Sequence, residues 1–269
     1  MTSREQAGYQ AIRYWLSRRC GIAYPAHKEE LLRQRLTRVK RAYDLDSLAE
    51  IAIRLNGEGE PDLALAVMHA ASTNHTYFFR EPDVLEAFRT MALPALSCRD
   101  EIRIWSAACS SGDEAYTIAM LIAGSLGPDA LDRTQILGTD ISAPMIDAAE
   151  AATYDRRHLH NVPDAVLRRW FVPVPGDLYR VAPHIAAPCT FRRMNLMKRP
   201  YPFRKPFQAI FCRNVLYYFD RDDQATVLRA LYDATEPGGW LVTSVTENVR
   251  DHDTDWRPVT GGLFQKEPA

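Results

Sequence analysis

The sequence lacks the features of membrane, disulfide-stabilised and zinc-binding proteins. No stretch of the 269 residues approaches the roughly 18 consecutive apolar residues of a membrane-spanning helix. The opening MTSREQAGYQ carries charges where a signal peptide needs an apolar segment, so we expect no leader. The five cysteines are scattered and form no Cys-x-x-Cys pair, which argues against both a disulfide framework and a structural metal. We therefore expect a cytoplasmic protein with no metal and no membrane insertion.

Net charge is also small, but its distribution is uneven. The formal net charge is -1, whereas residues 1 to 43 contain ten Lys or Arg against three Glu. Such a basic excess at one end favours an electrostatic partner, although a solvated helix face explains it equally well. Apolar residues recur there at spacings of three and four, for example Leu31, Leu32, Leu36 and Val39. The pattern predicts a small all-helical N-terminal domain, residues 1–71.

After residue 100 strand patterns alternate with helical ones. The β-rich segments IRIWSA (102–107), TQILGTD (134–140) and FQAIFCRN (207–214) are each followed by a helical pattern. This alternation predicts an α/β domain, residues 72–269, with a mostly parallel sheet covered by helices. The Pro-rich interval at about 170–192 has no helical period and predicts a small antiparallel β insert.

The turn after the first predicted strand consists of small residues, namely Ala107, Ala108, Ser110, Ser111 and Gly112. Ligands of open parallel sheets bind at such turns, beyond the carboxyl ends of the strands. The turn has neither the three glycines of a dinucleotide fingerprint nor the lysine of a phosphate loop. The backbone here is predicted to lie against a ligand that is not a phosphate.

Two carboxylates indicate which ligand this is. Glu114 begins the next helix, and Asp140 ends the second strand where a ribose-binding carboxylate belongs. A positively charged adenosyl ligand without phosphate satisfies both positions, which predicts S-adenosylmethionine. Each residue also has a structural explanation, since Glu114 favours the helix dipole and Asp140 can cap a loop.

Two further segments carry polar groups toward the same crevice. STNHTYFFREPD (72–83) contains Arg80, and FCRNVLYYFD (211–220) contains Arg213, Asn214 and Tyr218 near the end of a strand. The aromatic residues beside them, Phe78, Phe79 and Tyr217, are expected in the core.

Five ordered motifs then carry a resemblance over essentially the whole chain. NHTYFFRE, WSAACSSGDEAYTIAM, ILGTDIS, Asn195-Leu196 and IFCRNVLYYFD resemble those of the chemotaxis receptor methyltransferases. The resemblance implies a class I S-adenosylmethionine-dependent methyltransferase fold, Rossmann-like, behind a helical N-terminal domain. It implies methyl transfer to glutamate side chains of chemoreceptors, with S-adenosylhomocysteine as product, in chemotaxis signal transduction.

The resemblance also implies roles for single residues. Its cofactor contacts fall on Asn74, Thr76, Arg80, Glu114, Asp140, Asn195, Leu196, Arg213 and Asn214. Arg80 and Tyr218 are our catalytic candidates, Arg80 to orient a carboxylate and Tyr218 to hold the reacting groups. The partner implied is the cytoplasmic helical bundle of chemoreceptors, docked on basic residues of the N-terminal domain, namely Arg33, Arg35, Arg38 and Arg41.

Two departures from the family pattern modify these expectations. SVTENV (244–249) stands where the family usually has a Gly-His-Ser-Glu run, which bears on target choice. The insert is short, with Gly176 as its one glycine, so we expect no tether to a receptor pentapeptide. We also expect a monomer.

Three other functions remain open at this stage. A nucleic-acid methyltransferase lacks support because no Asn-Pro-Pro-aromatic run follows the fourth strand and the basic excess is confined to one end. A small-molecule carboxyl methyltransferase is the nearer alternative. A non-catalytic regulator that binds the cofactor is the third.

Overall fold

A computed structural model of the chain describes residues 3–24, 28–57, 60–72 and 75–268. Within these described residues the N-terminal part contains four helices: α1 Ser3–Cys20, α2 Glu29–Ala42, α3 Leu48–Asn56 and α4 Pro61–Ala71. They enclose a core of their own, in which Tyr9, Leu32 and Leu36 are fully buried. The helical prediction is therefore confirmed, although Leu31 points to solvent rather than into the core.

The remainder is built on a seven-stranded sheet of order β6-β2-β1-β7-β8-β10-β9. Its strands are β1 Ile102–Ala107, β2 Thr134–Asp140, β6 Cys189–Arg193, β7 Phe207–Cys212, β8 Thr235–Val242, β9 Arg257–Thr260 and β10 Leu263–Gln265. The first five in spatial order pair in parallel, and β10 and β9 join antiparallel at one edge. The predicted mostly parallel sheet is confirmed, and β1 and β7 are buried at its centre.

Helices cover both faces of this sheet. They are α5 Pro82–Ala87, α6 Leu93–Leu96, α7 Asp113–Leu126, α8 Ala143–Ala151, α9 Asp164–Trp170, α10 Pro183–Ala186 and α11 Arg221–Asp233, with a π-helical turn, Phe88–Ala92, between α5 and α6. Buried apolar residues form one cluster on each side: Phe88 and Phe211 pack edge to face in one, and Trp105 and Phe207 pack in the other. Among the described residues no helix is long and apolar enough to cross a membrane.

The small antiparallel sheet is present but its extent differs from the prediction. It consists of β3 Thr153–Asp155, β5 Leu178–Val181 and β4 Phe171–Val174, in that order. The interval of about 170–192 is wrong at both ends, because β3 lies earlier and Cys189–Arg193 is an edge strand of the main sheet. A three-residue strand is too short to show a period of two in the sequence.

Candidate functional site

The loop between β1 and α7 has an unusual backbone. Ala108, Ser110 and Gly112 all have positive φ, at 64°, 49° and 89°. Left-handed residues other than glycine cost free energy and persist only where surrounding contacts impose them. The amide of Cys109 donates to the Thr139 carbonyl at 2.8 Å, which ties the loop to the end of β2. A Cβ on Gly112 would approach that of Ala149 to 2.9 Å, so glycine lets the loop pack against α8.

Asp140 fixes this loop through its carboxylate. One oxygen accepts the amide of Ser110 and the other accepts the amide of Ser142, each at 2.9 Å. Burial raises the pKa of the Asp140 carboxyl, while the backbone donors oppose the shift. Each carboxylate oxygen has a further lone pair, so Asp140 can brace the loop and still accept a ligand hydroxyl.

Glu114 belongs to a second buried network. Its oxygens accept the Ser106 hydroxyl at 2.7 Å and Nη1 of Arg213 at 3.1 Å. Nη2 of Arg213 also donates to the Arg80 carbonyl at 2.5 Å and to the Glu81 carboxylate at 2.9 Å. Burial raises the pKa of the Glu114 carboxyl, and the adjacent Arg213 opposes that rise. Arg213 thus joins α7, the end of β7 and the segment carrying Arg80.

Glu247 holds the turn after β7. Its carboxylate accepts the amides of Asn214, Val215 and Leu216 at 2.7 to 2.9 Å, and the amide of Ser244 at 2.9 Å. These bonds stabilise a turn in which Asn214 has a φ of 60°. The carboxylate therefore sets the path of the chain just before Tyr218.

The helical domain closes one side of the site. The amide of Ala23 donates to the Tyr218 carbonyl at 2.6 Å, and Nδ2 of Asn195 donates to the Arg19 carbonyl at 2.9 Å. From α4, Nδ1 of His69 lies 2.6 Å from the Ser142 hydroxyl. Contacts on three different loops place the N-terminal helices directly against the carboxyl edge of the sheet.

These segments surround one cavity with about 910 Å³ of empty space, its open mouth included. The predicted residues that line it are Thr76, Arg80, Glu114, Asp140, Asn195, Leu196, Arg213, Asn214 and Tyr218. Asn74 lies outside the described residues. Five stretches far apart in sequence thus converge on one cavity, while the roles assigned to their residues stay predictions.

Several other residues at this cavity were not predicted from the sequence. Cys20 and Ile22 contribute a wall from the helical domain, and Met194 and Phe219 add apolar surface. Glu81 and Glu247 were also not predicted. They contact lining residues, since Glu81 accepts from Arg213 and Glu247 accepts the amide of Asn214. Tyr217 was expected in the core, which is wrong, because its side chain is 46% exposed.

The basic docking residues divide into two groups. Nε of Arg33 donates to Glu29 at 2.9 Å and its guanidinium lies over the Tyr9 ring at 3.8 Å. Arg35 donates to the Ser72 carbonyl at 2.8 Å and joins α2 to the cavity wall, because Ser72 lines the cavity. Arg38 and Arg41 are exposed. The four were predicted as one docking surface, and that role stays a prediction; the half-buried Arg33 and Arg35 also bond within the protein.

The fold and the site together define a methyltransferase of the S-adenosylmethionine-dependent class, and comparison with known proteins defines the family. Residues 74–262 match the model of the CheR methyltransferase SAM binding domain, and residues 7–69 match that of the CheR methyltransferase all-alpha domain. The chain belongs to the CheR methyltransferase family.

Characterised relatives agree with this assignment. The chemotaxis protein methyltransferase of Salmonella typhimurium is 33% identical over 254 residues, covering 92% of this chain and 87% of the relative. Chemotaxis protein methyltransferase 1 of Vibrio cholerae is 34% identical over 245 residues, covering 90% and 89% respectively. Chemotaxis protein methyltransferase 1 of Pseudomonas aeruginosa is 31% identical over 266 residues, covering 93% and 94%.

The cofactor of this family, S-adenosylmethionine, fits the residues present. Glu114 and Asp140 supply negative charge beside a cavity that has no lysine among its described lining residues, which suits a cationic ligand without phosphate. The left-handed β1–α7 loop presents small side chains, so a ligand can approach the backbone closely. Arg80, which also lines the cavity, offers a guanidinium group to a carboxylate.

Proposed function

We propose that this protein transfers a methyl group from S-adenosylmethionine to glutamate side chains on the cytoplasmic helical bundle of chemoreceptors. The products are glutamate methyl esters and S-adenosylhomocysteine, formed in chemosensory adaptation. The observation that carries the proposal is a carboxylate-lined cavity with Arg80 at its wall, beside a basic helix that reaches the same wall through Arg35. The three relatives described above are chemotaxis protein methyltransferases.

The chemistry requires positioning more than proton transfer. When bound, S-adenosylmethionine supplies an electrophilic methyl group on a sulfonium. A glutamate side chain has an ordinary pKa of about 4.3 and is already a carboxylate anion at neutral pH, so no general base is needed. The task left to the protein is to align two groups of opposite charge in a cavity with little water, which is an effective source of rate enhancement.

Arg80 is the proposed orienting group. Its Nη1 donates to the His75 carbonyl at 2.7 Å, and its guanidinium lies 5.7 Å from the Tyr77 ring. Its other N–H groups have no partner within the described parts of the chain and remain available to a carboxylate. Replacement by Ala should lower turnover at least tenfold with little change in cofactor affinity, whereas Arg80→Lys should retain part of the activity because charge is kept.

Tyr218 is the proposed second catalytic residue. It lines the cavity half-buried, and its ring lies 4.5 Å from that of Tyr217. Burial and the Tyr218 hydroxyl raise the pKa of the Tyr217 hydroxyl, so Tyr217 is protonated at neutral pH. A Tyr218→Phe variant removes one hydroxyl and nothing else. It should slow methyl transfer while cofactor binding and folding stay close to those of the wild type.

Docking is assigned to the exposed part of the basic helix, Arg38 and Arg41. The short strands of the small sheet support a pentapeptide-independent mode, in which the acidic receptor bundle is recognised by charge. We further propose that the protein works as a cytoplasmic monomer, and that residues 1–71 form the docking domain and residues 72–269 the methyltransferase domain. Size-exclusion chromatography with light scattering tests the monomer.

The experiment for the proposed function measures transfer of radiolabelled methyl to membranes that contain the host's receptors. Base-labile label should appear on the receptor band and disappear when the accepting glutamates are changed to glutamine. Membranes without receptors serve as the control. Cofactor binding without any label on receptors would contradict the proposal and favour a small-molecule carboxyl substrate or a regulatory role.

A further inference from the structure

Asp113, the first residue of α7, has a buried carboxylate that takes no part in the proposed methyl transfer. The side chain of Asp113 is 0% exposed, although it lies beside the β1–α7 loop that lines the cavity. One oxygen accepts the Ser111 hydroxyl at 2.7 Å, and the other lies 2.5 Å from Nε2 of His158. Within the described residues no arginine or lysine pairs with it. Among the described residues, His158 is therefore the one side chain that can carry a positive charge next to Asp113.

His158 is itself held firmly between the small sheet and the loop before α5. Its ring stacks on Tyr154 with centroids 5.2 Å apart and packs edge to face with Phe78 at a centroid distance of 6.4 Å. Its backbone amide donates to the Asp155 carboxylate at 2.7 Å. The Tyr154 hydroxyl donates to the Ser111 carbonyl at 2.6 Å. The stacked side chains of Tyr154 and His158 thus both contact the turn Ser111–Asp113.

We propose that His158 is a positioning residue for the cofactor: its imidazolium neutralises the buried Asp113 and so holds the β1–α7 loop in its left-handed form. An unpaired buried carboxylate is strongly unfavourable, and it becomes hydrated if the loop opens. The loop at Ala108 and Ser110 already has a costly backbone conformation and needs such contacts to persist. Loss of the pair shifts the loop toward open forms. The apparent cofactor affinity then falls in proportion to the fraction of molecules whose loop is closed.

The ion pair between His158 and Asp113 should weaken as pH rises. The groups that face the His158 ring are Asp113 from α7, Asp155 and Tyr154 from β3, and the uncharged Phe78 ring. Asp113 raises the pKa of His158, while partial burial opposes the shift. Burial raises the pKa of Tyr154 well above its ordinary value, so Tyr154 stays neutral. Pairing is therefore complete below the ordinary histidine pKa of about 6.5 and is lost as pH rises through the higher folded value.

The test is calorimetric binding of S-adenosylhomocysteine to the full chain at about pH 6 and about pH 9. His158→Ala should bind about tenfold more weakly than wild type at the lower pH, because the buried Asp113 carboxylate then has no cationic partner. The double variant His158→Ala/Asp113→Asn should recover to within about threefold of wild type, because no buried charge remains. If the His158 ring contributed only by packing, Asp113→Asn would not restore the binding of S-adenosylhomocysteine.

His160→Ala is the matched control, since His160 is exposed, lies two residues away and contacts only the Arg157 carbonyl among described groups. It should keep both the affinity and the pH dependence of the wild type. His158→Gln, which retains an N–H donor without charge, replaces His158→Ala if that variant fails to fold, and should lose the pH dependence. Wild-type affinity of the His158 variants at both pH values, or a double variant as weak as His158→Ala, would overturn the proposal. The readout needs no receptor, so its result is independent of the proposed substrate.

Discussion

Replacing Arg213 should destabilise the whole methyltransferase domain, because this one side chain joins three segments of the site. Its side chain is 3% exposed, and its carboxylate partners Glu114 and Glu81 are 13% and 21% exposed. Arg213→Met removes the cation but keeps most of the volume, so the two carboxylates lose their counter-charge in a largely dry setting. Breaking one side of a buried ion pair typically costs about 3–5 kcal/mol.

Urea unfolding at neutral pH measures this loss in the free energy of unfolding. Arg213→Lys should lose about half as much, because an ammonium keeps the charge but does not span both carboxylates and the Arg80 carbonyl. Arg221→Met is the control: Arg221 is an exposed arginine whose side chain donates, among the described residues, only to the Asp251 carbonyl, and its loss should lie within about 0.5 kcal/mol. A loss of less than about 1 kcal/mol for Arg213→Met would refute the view that this network is structurally coupled.

Three more predictions concern carboxylates and the basic helix. Asp140→Asn should weaken S-adenosylhomocysteine binding by at least about tenfold in calorimetry, since it removes a charged acceptor and disturbs the loop amides; unchanged affinity would contradict this role. Burial raises the pKa of the Glu114 carboxyl, so folding favours its protonated form. In urea unfolding, the free energy of unfolding of the wild type relative to Glu114→Gln should therefore be higher at about pH 4 than at about pH 7. Arg38→Glu/Arg41→Glu should slow receptor methylation more at low than at high salt, whereas exposed Arg229→Glu on α11 should not.

The main sheet was predictable because its central strands are almost entirely buried and are joined by helices. IRIWSA and FQAIFC stand out as apolar runs that end in small or polar residues, and both are central strands. The edge strands gave much weaker signals. β9 and β10 have four and three residues, and β8 contains Pro237 and two glycines that in isolation indicate a turn.

In the candidate site, only residues that line the cavity could be predicted from the sequence. Polar residues at the carboxyl ends of strands identified Asp140 and Arg213, because topology alone brings those ends together. Arg80 lies just before α5, and its place at the site came from the resemblance of NHTYFFRE. Residues that act through others carry no such signal: Glu247 and His158 show their importance only in which amide or carboxylate they contact. A basic helix pattern also does not show that Arg33 bonds to the Glu29 carboxylate and Arg35 to the Ser72 carbonyl, whereas Arg38 and Arg41 are exposed.

The most direct test of the proposed activity is to locate the methyl group on the receptor. Purified protein, S-adenosylmethionine and a soluble receptor bundle are incubated, and the digested bundle is mapped by mass spectrometry. We predict methyl esters on glutamate side chains of the helices, formed at least tenfold more slowly with Arg80→Ala. Methylation confined to other residue types, or none under conditions where the cofactor is bound, would contradict the account.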